Sequence, residues 1–343
     1  MSSIAVVGTG ANGAAIGADL AEAGHDVTFI EQWPAHVEAI RQHGIRVETP
    51  EEKVSVNVPV LHFCEVATLR RKFDVVLMVV KAYDTRWACE LIKPYLADDG
   101  LAVGVQNGMS VDDMTEILGP ERTLGAVIEI SSTMFEPGLV DRHSPRSRSW
   151  FAVGSLGPGT SGREDEIASL LRHSGDVDVV DDIRSAKWMK LVINAAELVP
   201  SAILDLSIVE AGHHPGMKEV MMQAGYEAVD AALAAGRSVV PIFGLTSVDP
   251  GNPHGFVDVL MDVLLEKYVL SHTLSTVLQD WMKSRRSEVD QINGRVVEEL
   301  GRVGRAAPVN AAVVELAHRI ELGDLKRSVD NVAALRAALA PSA

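Results

Sequence analysis

A glycine-rich segment near residue 10 limits the fold more than any other feature of the sequence. A β-branched run at residues 4–7 leads directly into the pattern G-x-G-x-x-G, and residues 14–23 have helical character. In this context the first glycine allows a tight turn, the second lets the backbone approach a pyrophosphate, and the third lets helix and strand pack closely. The N–H groups at the start of the helix then face the phosphates. We therefore predict dinucleotide contacts from Gly8, Thr9, Gly10, Ala11, Asn12 and Gly13.

Strands and helices continue to alternate over the first half of the chain. Further strands are predicted at residues 27–30, 75–80, 102–105 and 124–130, and a helix at 86–96. This alternation predicts a mostly parallel sheet covered on both faces. After Asp181 helical periodicity replaces the strand pattern. We predict an N-terminal Rossmann-type, doubly wound α/β domain over residues 1–181 and a C-terminal all-helical domain, for substrate binding and dimerisation, over residues 182–343.

The segment from Met134 to Val153 has a different pattern. Its polar stretches are broken by Pro137, Gly138 and Pro145, which is typical of two antiparallel strands around a turn. We expect this pair of strands to close one edge of the main sheet.

Charge and composition exclude several classes of protein. The chain carries 31 Lys and Arg against 47 Asp and Glu, and this net charge of −16 repels polyphosphates, so we expect no nucleic-acid partner. The apolar run near the start is far shorter than the roughly 18 residues of a membrane helix, and no secretory signal is visible, so we expect no membrane partner. The two cysteines, without metal-ligand spacing, are typical of a reducing compartment. We expect a cytoplasmic protein with no bound metal.

The second predicted strand ends at Glu31, which lies close to the distance from the glycines at which an acidic residue binds the adenosine ribose. A carboxylate there accepts hydrogen bonds from the ribose hydroxyls and repels a 2′-phosphate. The residue therefore favours NAD over NADP as the cofactor, without excluding NADP.

Four further segments carry a family resemblance. They are Val80-Lys81-Ala82, Gln106-Asn107-Gly108-Met109, Lys190-x-x-x-Asn194 and the run SEVDQING at residues 287–294. In this order, and over nearly the whole chain, the sequence resembles the ketopantoate reductase (2-dehydropantoate 2-reductase) family. The resemblance implies an NAD(P)-dependent oxidoreductase that transfers a hydride between nicotinamide and the carbonyl or alcohol carbon of a small 2-oxo acid or related ketone.

The resemblance also implies the roles of individual residues. Lys190 matches the family's proton donor, and an ammonium suits this role because hydride delivery to a carbonyl carbon places negative charge on its oxygen. Asn194 projects from the same helix face and can bind substrate. The resemblance further implies that Asn107 contacts both cofactor and substrate and that Thr276 binds the substrate carboxylate. It also implies cofactor contacts from Lys81, Ser131 and Glu288.

Departures from the family pattern concern the substrate. Two asparagines that the family usually offers to a substrate hydroxyl are replaced by Leu198 and Ile208, and Glu197 can enter the pocket instead. An unpaired buried hydroxyl costs roughly 1–3 kcal/mol, so such a site discriminates differently. The basic residue that binds a 2′-phosphate is also missing after the second strand. A 2-oxo acid or ketone other than ketopantoate therefore stays open as the substrate.

Two other functions are compatible with parts of this sequence pattern. A β-hydroxyacid dehydrogenase also combines a Rossmann domain, a helical domain and a lysine near an asparagine, but it usually has glycines just before the lysine, where this chain has residues 184–189, RSAKWM. A non-catalytic dinucleotide sensor would not require Lys190, Asn194, Asn107 and Glu288 together. A homodimer is the expected assembly.

Overall fold

A computed structural model describes residues 2–264 and 270–339. The chain divides into two compact units, Met1–Arg184 and Ser185–Ala343. The predicted domain boundary after Asp181 lies three residues before this division, and the helix Ile183–Ile203 crosses the division. No helix among the described residues combines the length and the apolar character needed to cross a membrane.

The first unit contains twelve strands and five α-helices within its described residues. In chain order they are β1 (Ser3–Val7), α1 (Ala11–Glu22), β2 (Asp26–Glu31), α2 (Pro34–His43), β3 (Ile45–Glu48), β4 (Lys53–Val56), β5 (Val60–His62), β6 (Phe73–Met78), α3 (Thr85–Ile92), β7 (Leu96–Gly104), α4 (Val111–Leu118), β8 (Thr123–Glu129), β9 (Ser132–Glu136), β10 (Leu139–Arg142), β11 (Trp150–Ser155), α5 (Glu164–Leu171) and β12 (Asp176–Val179).

Eight of these strands form the main sheet, in the order β12-β11-β8-β7-β6-β1-β2-β5. Neighbouring strands are parallel except β8 and β11, which are antiparallel. Central strands such as β1 and β6 are buried, as expected when both faces of a sheet are covered. The predicted Rossmann-type α/β architecture is confirmed.

The predicted antiparallel pair exists as β9 and β10, but its expected place at the edge of the main sheet is wrong. These strands belong to a separate four-stranded sheet, β4-β3-β10-β9, and the edges of the main sheet are β12 and β5. Helix α1 explains this arrangement. Its residues Gly13 to Leu20 are all buried, so the helix must be covered on more than one side. The second sheet packs against α1 and covers the side that the main sheet leaves open.

A buried ion pair joins α1 to this second sheet. Arg142 of β10 and Asp19 of α1 are 1% and 2% exposed, and Arg142 Nη1 lies 2.6 Å from Asp19 Oδ2. Arg142 also donates hydrogen bonds to Ser149 Oγ and to the Ser174 carbonyl. Its buried guanidinium therefore has acceptors besides the Asp19 carboxylate. Charges this deep are tolerated only when they are paired and hydrogen-bonded.

Among the described residues of the second unit, all regular secondary structure is helical. Its helices are α6 (Ile183–Ile203), which begins at the end of the first unit, α7 (Ile208–His213), α8 (Met217–Ala234), α9 (Gly255–Val263), α10 (Thr276–Met282), α11 (Asn293–Arg302), α12 (Pro308–Leu322) and α13 (Val332–Ala337). The predicted all-helical character of this region is confirmed.

Buried polar side chains connect these helices. Asn293 Nδ2 donates to the Ala195 carbonyl in α6, at 3.0 Å, and to Asn310 Oδ1 at 2.8 Å. Glu227 of α8 accepts from the backbone N–H groups of Val309 and Asn310 and thereby caps the start of α12. Because these groups are shielded from water, the network specifies how α6, α8, α11 and α12 pack together.

Candidate active site

The three glycines of the G-x-G-x-x-G motif have different surroundings. Gly8 has φ +87°, and a Cβ there would lie 2.6 Å from Val80 N, while a Cβ on Gly13 would lie 2.2 Å from the Gly8 carbonyl oxygen. At Gly10 a Cβ would meet nothing within 4 Å. Gly8 and Gly13 therefore serve the packing of strand and helix, and Gly10 faces open space.

That open space lies at the start of α1. Gly10 is the N-cap residue and supplies no side-chain cap, and the first backbone donor inside the helix is Ala14 N, which donates to the Gly10 carbonyl. The preceding N–H groups of Ala11, Asn12 and Gly13 have no acceptor inside the helix. A helix start of this kind binds anionic groups through its N–H donors and its dipole, so these residues fit a dinucleotide pyrophosphate.

Glu31 holds the glycine-rich loop from the neighbouring strand. Its side chain is 5% exposed, and its Oε2 accepts from Thr9 N at 2.7 Å and from Thr9 Oγ1 at 3.0 Å. Its Oε1 accepts from the backbone N–H groups of Gln32 and Trp33, each at 2.9 Å. Four donors of the chain therefore contact this carboxylate, and its predicted contact with the ribose stays a prediction.

Sequence reasoning missed His36, which also contacts the loop. Its Nδ1 accepts from Gly138 N at 2.9 Å, so Nε2 carries the hydrogen that is donated to the Thr9 carbonyl at 3.0 Å. Ser132 Oγ donates to Asn12 Oδ1 at 2.5 Å. The turn and the first strand of the β9–β10 hairpin thus hold the glycine-rich loop in place.

Lys81 and Asn107 follow the adjacent parallel strands β6 and β7, and β6 also pairs with β1. The two residues and the glycine-rich loop consequently lie at the carboxyl end of the sheet, where open α/β sheets bind ligands. Gln106 Nε2 joins the two strand ends by donating to the Val80 carbonyl at 2.9 Å. Gly108, directly after Asn107, has φ +73°, a conformation that permits the sharp turn there.

Ser131 lies between β8 and β9. Its backbone N–H donates to Ser144 Oγ at 2.9 Å, and its carbonyl accepts from His143 N at 2.8 Å. Its backbone N–H and carbonyl are therefore both bonded within the chain, and the predicted contact of Ser131 with the cofactor stays a prediction.

In the second unit, α6 carries Lys190, Asn194 and Glu197. All three are buried, at 8%, 1% and 2% exposed, although a lysine or glutamate on a helix is ordinarily solvated. Lys190 Nζ lies 5.0 Å from the centroid of the Phe243 ring. The helical repeat places Lys190 and Asn194 one turn apart on the same face.

Several buried polar atoms of this unit have no hydrogen-bond partner among the described residues, and Asn194 Nδ2 and Thr276 Oγ1 are two of them. The adjacent Ser275 hydroxyl is already used, because it caps α10 by accepting from Leu278 N at 3.2 Å. Unsatisfied buried polar groups are rare in native proteins and call for a ligand or water. Of the two neighbouring hydroxyls, the one on Thr276 is therefore available to a ligand.

Glu288 is buried in the segment between α10 and α11. Its neighbour Ser287 is held by Glu321, whose Oε1 accepts from Ser287 N at 2.9 Å and from Ser287 Oγ at 2.6 Å. Leu198 in α6 and Ile208 at the start of α7 are also buried. The two apolar replacements thus lie inside the helical unit.

Comparison with known proteins decides the family. The model described as ketopantoate reductase PanE/ApbA matches residues 4–155, and the model of the C-terminal part of the same family matches residues 182–321. The chain belongs to the ketopantoate reductase family. It is an NAD(P)-dependent oxidoreductase acting on a CH–OH group, and the β-hydroxyacid dehydrogenase and sensor alternatives are not favoured.

Individual members of the family, and a further dehydrogenase, are similar over most of their length. The 2-dehydropantoate 2-reductase of Mesorhizobium japonicum is 28% identical, with 92% of this chain and 97% of that protein covered. The crystal structure of a PanE/ApbA family ketopantoate reductase from Ralstonia eutropha has a TM-score of 0.78 at 28% identity and covers 94% of this chain and 99% of its own. D-mandelate dehydrogenase, solved with NADH and anilino(oxo)acetate, has the same fold, with a TM-score of 0.82 at 21% identity and coverage of 94% and 99%.

Proposed function

We propose that this member of the ketopantoate reductase family reduces the carbonyl of a small 2-oxo acid, with Lys190 as the proton donor. The observation that carries the proposal is the buried lysine on α6, one helical turn from an asparagine whose buried Nδ2 has no hydrogen-bond partner among the described residues. A buried cation beside an unused buried donor suits a site that binds an anion and a carbonyl oxygen.

The chemistry divides between cofactor and protein. When bound, a reduced nicotinamide would supply the hydride for the carbonyl carbon. Lys190 Nζ donates a hydrogen bond to the carbonyl oxygen and stabilises the negative charge that develops there. It then transfers its proton to this oxygen, so the carbonyl group is reduced to CH–OH. The neutral amine then regains a proton from solvent.

Other side chains orient the substrate in this proposal. Asn194 Nδ2 and Thr276 Oγ1 donate to the carboxylate or carbonyl oxygens, and Asn107 contacts cofactor and substrate. Glu197 contributes a carboxylate to the pocket. Leu198 and Ile208 stand where the family usually offers amides, so the substrate group beside them is apolar.

NAD is the proposed cofactor. The start of α1 binds its pyrophosphate, while Lys81, Ser131 and Glu288 contact the rest of the molecule. The negative charge of Glu31 at the end of β2 repels a 2′-phosphate and so disfavours NADP. We further propose that the enzyme works in the cytoplasm and forms a homodimer, which is the commonest closed assembly of soluble oligomers. Light scattering on the purified protein measures the mass of the assembly and so tests the homodimer.

Initial rates of ketopantoate reduction, with NADH and NADPH in parallel, test the proposal, together with a panel of other 2-oxo acids. We expect Lys190→Ala to lower kcat by about 10²-fold or more on whichever acid is reduced. Lys218→Ala, at an exposed lysine of α8, is the control. Near-normal turnover of Lys190→Ala, with the fold intact by circular dichroism, would refute the role of this lysine.

A further inference from the structure

A tight turn between α8 and α9 has an unusual residue at its centre. Leu245 N donates to the Ile242 carbonyl at 3.1 Å, and the two residues between them, Phe243 and Gly244, have φ +58° and +73°. Turns with positive φ at both central positions ordinarily contain glycine, asparagine or aspartate there. Phenylalanine at the first of these positions is a backbone outlier, and such outliers cluster at functional sites.

The aromatic ring shows what this conformation achieves. Phe243 is 2% exposed, and its ring lies 5.0 Å from Lys190 Nζ, within the distance at which a ring face attracts an ammonium group. The loop is also fastened to the same helix, because Ser238 N donates to Ser185 Oγ at 3.0 Å. The loop that carries Phe243 is thus anchored to α6 at Ser185 and contacts Lys190 further along the helix.

We infer that Phe243 is a positioning residue that holds the Lys190 ammonium in place for proton transfer. A lysine side chain has four flexible carbon–carbon bonds and a compact charge, so an ammonium that must meet a carbonyl oxygen needs a fixed neighbour. The ring face supplies an attraction without taking the proton, since a phenyl group has no hydrogen-bond acceptor of ordinary strength. The left-handed turn is the backbone conformation that brings the ring to Nζ.

This inference rests on the proposed role of Lys190 and is tested with isosteric changes. Phenylalanine at position 243 is replaced by its mono-, di- and trifluoro analogues, which keep the size of the ring while withdrawing electrons from its face. We expect kcat for 2-oxo acid reduction to fall with each added fluorine, and Phe243→Leu to lower it by about 3- to 30-fold, with the KM of the cofactor unchanged. Phe256→Leu, at a buried phenylalanine of α9, is the matched control with unchanged kcat.

A spectroscopic measurement tests the contact without turnover. In protein labelled with ¹³C-lysine, the ε-CH₂ signal of Lys190, assigned by its loss in Lys190→Arg, is expected to be shifted by the ring current, and to return to the ordinary lysine position in Phe243→Leu. A kcat that is independent of fluorination, or an unshifted Lys190 signal, would overturn the inference. Full activity of Lys190→Ala would instead overturn the proposed function itself, so the two failures are distinguishable.

Discussion

Glu31 Oε2 accepts hydrogen bonds from both the backbone N–H and the hydroxyl of Thr9, at 2.7 and 3.0 Å. The residue expected to contact the cofactor ribose therefore also shapes the loop that faces the pyrophosphate. Cofactor affinity and cofactor choice are consequently linked through one carboxylate, and variants of Glu31 and Thr9 separate the two effects.

Glu31→Gln places an amide group where the loop donors now meet a carboxylate. We expect NADH to bind about 10-fold more weakly, since a buried donor left unsatisfied costs about 1–3 kcal/mol. Loss of the negative charge also removes the repulsion of a 2′-phosphate, so NADPH loses less affinity than NADH. Fluorescence titration with both cofactors measures this ratio.

Thr9→Val is the matched control for this variant. It removes the hydroxyl that donates to Glu31 but keeps the charge, so both cofactors should weaken by the same factor. Equal loss of NADH and NADPH affinity in Glu31→Gln would show that the carboxylate does not select between them.

Asp19→Asn removes the charge that pairs with buried Arg142. Breaking one partner of a buried pair typically costs about 3–5 kcal/mol, because the remaining charge stays desolvated. We expect a loss of this size in the free energy of unfolding, measured with urea. Arg86→Met, which breaks solvent-exposed pairs with Asp113 and Glu116, should lower stability far less.

The buried carboxyl group of Glu227 should make the free energy of unfolding depend on pH. Burial is the largest influence on this carboxyl and raises its pKa above 4.5, although hydrogen bonds from Asn310 and Val309 act in the opposite direction. A folded pKa above the unfolded value favours the protonated form. Its contribution to stability is therefore complete at pH values below 4.5 and is lost as the pH rises through the folded pKa.

Comparison with Glu227→Gln isolates this effect. The free energy of unfolding of the wild type, minus that of the variant, should decrease as the pH rises from 4.5 towards neutrality. Glu219→Gln, at an exposed position of the same helix, provides the reference. A difference that stays constant with pH would contradict the prediction.

Leu198→Asn tests the proposed substrate pocket. The new amide offers a hydrogen bond to a substrate hydroxyl, so we expect kcat/KM for ketopantoate to rise by about 10-fold, corresponding to roughly 1.4 kcal/mol. 3,3-Dimethyl-2-oxobutanoate, the same skeleton without the hydroxyl, should not gain. An equal change for both acids would place residue 198 outside the hydroxyl-binding part of the pocket.

Sequence reasoning succeeded where a short pattern is sufficient. The glycine-rich loop lies between β1 and α1 as predicted, and Lys190 and Asn194 share one face of α6, because these features depend on strand alternation and the helical repeat. The place of the β9–β10 hairpin was wrong, because pairing with β3 depends on which side of α1 remains uncovered.

What the sequence by itself determined is therefore the Rossmann-type architecture, the helical second unit and the family. Tertiary structure alone decided how the site is supported: His36 reaches Gly138, 102 residues away, and Phe243 contacts Lys190 through a left-handed turn. These contacts join segments that are distant in the chain. No local periodicity encodes them, because they form only when the surrounding elements have packed and water has been excluded.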